Sequence, residues 1–161
     1  MLAKIGMALT FLLVCHGPVG AQAAPAPLAV VWQHFGLSLP AGYCVHYQQG
    51  PDFVVRYLRA GDSKGPILAG IYTGYAPNFS PDCKSATKRT WTSKSLKLKS
   101  VEGSDSCAEF LVSDPASQDR GFLHLWFGPD AKSHPGLAHA LVDSISPAPL
   151  DAANAEGPTC N

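Results

Sequence analysis

Charged residues are scarce in this chain, only 15% of the total, and they cancel to a formal net charge of zero. Composition therefore supplies no overall field of the kind that holds a nucleic-acid backbone. No two cysteines stand in a C-x-x-C pair, which removes the simplest redox and thiolate-ligand readings. H-E-x-x-H, phosphate-loop and dinucleotide fingerprints are also missing. After the N-terminal segment no stretch approaches the roughly 20 apolar residues that a membrane helix needs. What is left to read is an N-terminal signal, a cysteine pattern, strand-like alternation and one lopsided distribution of charge.

Lys4 precedes an apolar run from Ile5 to Val14, broken only by Gly6 and Thr10. Gly17, Pro18 and Gly20 end the run, and Ala21-Gln22-Ala23 follows as an A-x-A processing site. This is the pattern of a cleavable secretory signal peptide over residues 1–23, cut after Ala23. The competing reading is a lipoprotein acylated at Cys15. Leu12-Leu13-Val14 leads into it suitably, but the residue before such a cysteine should be small and Val14 is branched. Cleavage leaves about 138 residues, the size of one domain with one core, expected over 24–150 with a polar C-terminal tail over 151–161.

The signal takes Cys15 with it and leaves Cys44, Cys83, Cys107 and Cys160. Four cysteines in an oxidising compartment read as two structural disulfides, with three possible pairings. Cys83–Cys107 with Cys44–Cys160 is favoured, because the first closes a local loop and the second ties down the tail. Sequence alone leaves all three pairings open.

Fourteen prolines and 15 glycines point to many turns and a β-rich chain. A short helix or turn is expected near 28–34, followed by a strand through Phe35, Leu37 and Leu39. Residues 43–73 read as a three-stranded antiparallel meander, punctuated by Gln49-Gly50-Pro51-Asp52 and by the loop from Gly61 to Pro66. Thr90 to Val101 alternates as a further strand, with Leu96 and Leu98 on one side and Lys97 and Lys99 on the other. Cys107 to Val112 and Gly121 to Phe127 complete the strands. The clearest helix begins at Pro135 and carries Leu137, Leu141 and Ile145 at i, i+4 and i+8, until Pro147 and Pro149 stop it. The expected fold is α+β: an antiparallel sheet of about six strands covered by a C-terminal helix and stabilised by disulfides.

Leu39-Pro40-Ala41-Gly42-Tyr43, the meander after it and the closing Leu141-Val142-Asp143-Ser144-Ile145 helix resemble PsbP/Mog1-like α/β sandwich domains. Gly50-Pro51-Asp52-Phe53 and Gly70-Ile71-Tyr72-Thr73-Gly74-Tyr75-Ala76-Pro77 also resemble segments of small uncharacterised bacterial periplasmic proteins. The resemblance spans about two thirds of the mature chain. It implies binding and accessory roles rather than catalysis, and it carries over no functional residue.

Gly61-Asp62-Ser63-Lys64-Gly65-Pro66 is similar to the G-D-S-G-G-P string around a protease nucleophile. Lys64 replaces the glycine that should follow the serine, and the chain is too short for a double-barrel protease, so a loop rich in turn formers is the better reading. His34, His46, His124, His134 and His139 lack metal spacing, and neither a metal nor another cofactor is expected. Acidic residues are scattered through turns, so a pair of glycosidase carboxylates cannot be nominated.

Lys84, Lys88, Arg89, Lys94, Lys97 and Lys99 hold six of the 12 cations with no acid among them, whereas nine acids follow from Glu102 onward. One reading is a basic face for an anionic partner, either an acidic protein surface or an envelope polymer. The other is an edge strand whose lysines guard against sheet-to-sheet association. Nearby stand Tyr72, Tyr75, Phe79 and Trp91, which suit either partner anchoring or the core. The partner-binding candidates are therefore Tyr75, Phe79, Lys88, Arg89, Trp91, Lys97 and Lys99. The expected role is a non-catalytic periplasmic or secreted binding protein of inhibitor or immunity type. A small envelope hydrolase acting on sugars or peptides, and an accessory lipoprotein, are the alternatives.

Overall fold

The computed structural model describes residues 28–77, 86–103, 107–116, 121–149 and 153–161. The expected signal peptide with Cys15, and also Phe79 and Cys83, lie outside the described residues.

Val30, Val31 and Trp32 are β-branched or aromatic, and they form a strand, β1 (Leu28–Trp32), where a helix or turn was expected. Gln33 and His34 turn the chain into β2 (Phe35–Leu39) with φ of 43° and 74°. Pairing in the register Val30↔Leu37 and Trp32↔Phe35 puts these four side chains, all buried, on one face. The spacing of Leu28, Val31, Trp32 and Phe35 fits a helix equally well, but burying Val30 and Trp32 together requires period two.

The expected meander is present as β3 (Tyr43–Gln49), β4 (Phe53–Ala60) and β5 (Ile67–Gly74). The region 90–101 differs from expectation. It is a hairpin of β6 (Thr87–Ser93) and β7 (Leu96–Glu102), turned by Lys94 and Ser95 with φ of 47° and 70°. In such a turn residues i and i+3 face one another, here Ser93↔Leu96, so the inward set changes from odd to even numbers. Trp91 thereby lands on the face of Leu96 and Leu98, opposite to Lys97 and Lys99. β8 (Ala108–Ser113) and β9 (Phe122–Phe127) follow as expected.

Strands β3 to β9 form one seven-stranded antiparallel sheet in the order β3-β4-β5-β9-β8-β7-β6, two meanders joined where β5 pairs with β9. Its inner face carries Val45, Leu58, Ile71, Leu98, Phe110, Val112, Leu123 and Leu125, all buried. The β1–β2 hairpin and the one α-helix among the described residues, α1 (Leu137–Ser144), supply Trp32, Phe35, Leu37, Leu141 and Val142 to the same core. The chain is thus α+β, with its helix near the C-terminus, as expected.

The helix starts later than the sequence suggested. A 3-10 turn occupies Pro129–Ser133, and Gly136 at φ 84° precedes Leu137, so Pro135 lies before the helix rather than in its first turn. The two-residue strand β10 (Ser146–Pro147) then pairs with β2. Ser144 Oγ accepts from the Ser38 N–H at 3.0 Å and so fastens the end of α1 to β2.

The tail is held. Cys160 is bridged to Cys44 as favoured, and Cys107 is also disulfide-bonded. Ala155 exchanges backbone bonds with Val31, and Thr159 forms a parallel bridge to Val45 on β3. The tail therefore meets the open edge of β3, one of the two edges of the large sheet, at Val45.

Candidate binding cleft and open sheet edge

Between the inner side of β6–β8 and α1 lies a cleft of about 580 Å³. Trp91, Phe110 and Val142 give it an apolar floor. Trp91 is half-buried and meets Phe110 edge-on at 6.5 Å. The strand period puts Arg89 on the same face, two residues from Trp91 and at the exposed margin. Glu102 from β7 accepts a hydrogen bond from Ser100 Oγ at 2.9 Å. His139 and Asp143, one helical turn apart on α1, complete the polar rim. Lys94 Nζ donates to the Asp143 carbonyl at 2.7 Å, tying the β6–β7 turn to the end of the helix.

The cleft opens beside β6, the second edge of the sheet. Among the described residues no strand pairs with its outer side. Lys88, Lys97 and Lys99 are exposed on the outer face of this hairpin, and Thr90 and Thr92 separate them. The fold thus divides the sequence-predicted candidates. Arg89 and Trp91 meet in the cleft, and the three lysines form a cationic strip behind the same edge. Tyr75 is exposed at the end of β5, which stands four strand positions from β6, about 19 Å at ordinary spacing. Closeness in sequence does not bring Tyr75 to Trp91. Phe79 lies outside the described residues.

Several features escaped the sequence. Val142, His139 and Asp143 reach the cleft through tertiary packing of α1, for which no local pattern signals the distant partner. On the outer face Glu109 Oε2 lies 3.0 Å from His124 Nε2, and both residues are buried. Burial pushes the His124 pKa down, and the hydrogen bond and charge of Glu109 oppose that shift. Trp126 stands beside this ring, centroids 5.5 Å apart. Its indole occupies the place where Gly70 has no side chain: a Cβ there would come within 2.0 Å of the ring.

The protease-like string is a turn. Asp62 Oδ1 accepts from the N–H groups of Lys64 and Gly65 at 2.8 and 3.1 Å, and Ser63 Oγ donates to the Asn161 carbonyl at 2.7 Å. Ser63 thus binds the C-terminus. Among the described residues no group of three His, Cys, Asp or Glu side chains is placed to hold a metal ion, and no helix is long and apolar enough to cross a membrane. The cleft offers an apolar seat, one cation and two carboxylates around an edge of free backbone, which suits recognition of a partner. Comparison with protein-family models, with curated proteins and with solved structures finds no match for this chain.

Proposed function

We propose that this chain is a non-catalytic exported binding domain, of inhibitor or immunity type, whose partner docks where β6 meets α1. The observation that carries this reading is the apolar cleft over Trp91, Phe110 and Val142 beside an edge strand rimmed by Lys88, Arg89, Lys97 and Lys99. Pockets of several hundred Å³ with an apolar floor and a few polar groups are the usual geometry of specific recognition. Aromatic and Arg anchors carry most of the binding energy at such surfaces. The resemblance to PsbP/Mog1-like domains points the same way.

Capture of envelope partners on the immobilised oxidised chain tests the reading. Arg89→Glu and Trp91→Ala, checked for folding by circular dichroism, are expected to weaken capture at least about tenfold, the scale of an anchor residue. Tyr75→Ala should leave it unchanged. Undiminished capture by both cleft variants would overturn the proposal.

A second reading, a small envelope hydrolase, is favoured by one feature, the Glu109–His124 pair, since a carboxylate often orients a catalytic imidazole. Both side chains are more than nine-tenths buried, which suits a structural pair better than a base that must reach substrate. Turnover of peptidoglycan fragments that is lost in His124→Ala would establish it; equal turnover in wild type and variant would remove it.

A further inference from the structure

We infer, as a deepening that rests on the binding reading above, that the partner adds to β6 as an extended strand and alternates apolar with acidic residues. The Lys94–Ser95 turn decides which backbone groups are available. With positive φ at both positions it closes a two-residue hairpin, in which the flanking pair Ser93 and Leu96 exchanges hydrogen bonds. Bonded pairs alternate along an antiparallel ladder, so Trp91↔Leu98, Arg89↔Ser100 and Thr87↔Glu102 are bonded too. The N–H and C=O groups of Lys88, Thr90 and Thr92 therefore point away from β7, along the open edge. Among the described residues nothing accepts or donates to them.

A strand laid beside β6 at about 4.8 Å takes the same alternation of faces. Its inward residues lie against Trp91, Phe110 and Val142, walled by α1, and the Lys94 bond to Asp143 fixes the width of that space. Its outward residues meet Lys88, with Lys97 and Lys99 directly behind Thr92 and Thr90. Long lysine side chains reach across one strand spacing. The two faces also sort charge by exclusion. Glu102 and Asp143 outnumber Arg89 at the rim of the inner cleft, whereas the outer face of the hairpin holds three lysines and no acid. Acidic side chains are favoured outward, toward the lysines, and apolar ones inward, over Trp91 and Phe110. A segment with that alternation matches the edge in one phase.

Hydrogen exchange of the intact oxidised chain tests this with three kinds of blocked synthetic heptapeptide. The first alternates Leu with Glu; the second has the same composition in two blocks; the third is the alternating peptide N-methylated on every second residue, made in both phases. The alternating peptide is expected to slow exchange of the Lys88, Thr90 and Thr92 amides about tenfold or more, leaving the Arg89 and Trp91 amides, already bonded to β7, unchanged. One N-methyl phase should abolish the effect, and the block peptide should bind about tenfold more weakly. If the alternating peptide shifts the Trp91 indole without protecting those three amides, strand addition is overturned while the cleft reading stands. If no peptide binds at about 1 mM while Arg89→Glu still loses its natural partner, the alternating-peptide class is overturned and the docking site stands. If neither peptides nor cleft variants have any effect, both readings fall. Protection of the same amides that grows with protein concentration alone would replace the peptide by a second copy of this chain.

Discussion

Arg56 lies on the inner face of the sheet, 2% exposed, yet it carries a full charge. Its Nε and Nη2 donate to the two carboxylate oxygens of Glu156 at 2.6 and 2.5 Å, and Nη1 donates to Thr73 Oγ1 at 3.2 Å. The guanidinium also rests 4.7 Å from the centroid of Trp32. A buried cation is tolerated only with such pairing, because desolvation otherwise exceeds what the fold recovers. The Glu109–His124 pair meets the same demand on the outer face and has a consequence for pH. Burial holds the folded-state pKa of His124 below its ordinary value of 6.5. As pH falls through that value the unfolded chain takes up a proton that the folded chain resists, so this residue's share of stability, whole above it, is lost toward the folded-state pKa. Urea midpoints measured from about pH 7.5 down to about pH 5 should decline less steeply in His124→Gln than in the wild type, and equal slopes would refute the assignment. Neither pair was legible in sequence. Arg56 follows strand parity like an apolar residue, and its partner is 100 positions away. His124 reads as one isolated histidine on a strand until β8 pairs with β9 and brings Glu109 beside it.

At the scale of elements, legibility followed the strength of the turn signal. The meander β3–β4–β5 could be read because Gly50-Pro51-Asp52 and Gly61 to Pro66 are strong turn formers. The hairpins β1–β2 and β6–β7 were misread, one as a helix or turn and the other as a single strand. Both turn on two non-glycine residues in the left-handed region, Gln33-His34 and Lys94-Ser95, where Asn-Gly would have announced the hairpin. Without the second turn, strand parity would put Trp91 with Lys97 and Lys99, so the cleft could not be assembled from sequence although Arg89 and Trp91 are both candidates there. The left-handed conformation disfavours residues with a Cβ by about 1–2 kcal/mol. Ser95→Gly, which leaves the Lys94 bond to Asp143 intact, is therefore expected to stabilise the chain by about 0.5–1 kcal/mol and raise Tm by about 2–4 °C in a thermal melt. A lower Tm would mean that the turn is not strained.

At the scale of the molecule, the ends of the chain and the edges of the sheet decide its character. The small, polar tail, expected to be tied down by Cys160, is built in through Ala155, Glu156, Thr159 and the Cys44–Cys160 bond. That bond closes a span of 116 positions, for which chain entropy predicts about 4–5 kcal/mol. Replacing both cysteines by serine should lower the urea-measured stability by that amount; a loss under about 1 kcal/mol would mean that the backbone bonds and Glu156 hold the tail unaided. The tail's hold on β3 has a further consequence for strand pairing. Growth of a strand polymer requires every subunit to offer two vacant sides, one as template and one as guest. Here the tail obstructs one of them at Val45, whose backbone N–H and C=O it takes up. A guest strand on that side would have to displace the tail or stop short of Val45, and a reductant that frees the tail would lengthen the vacant stretch.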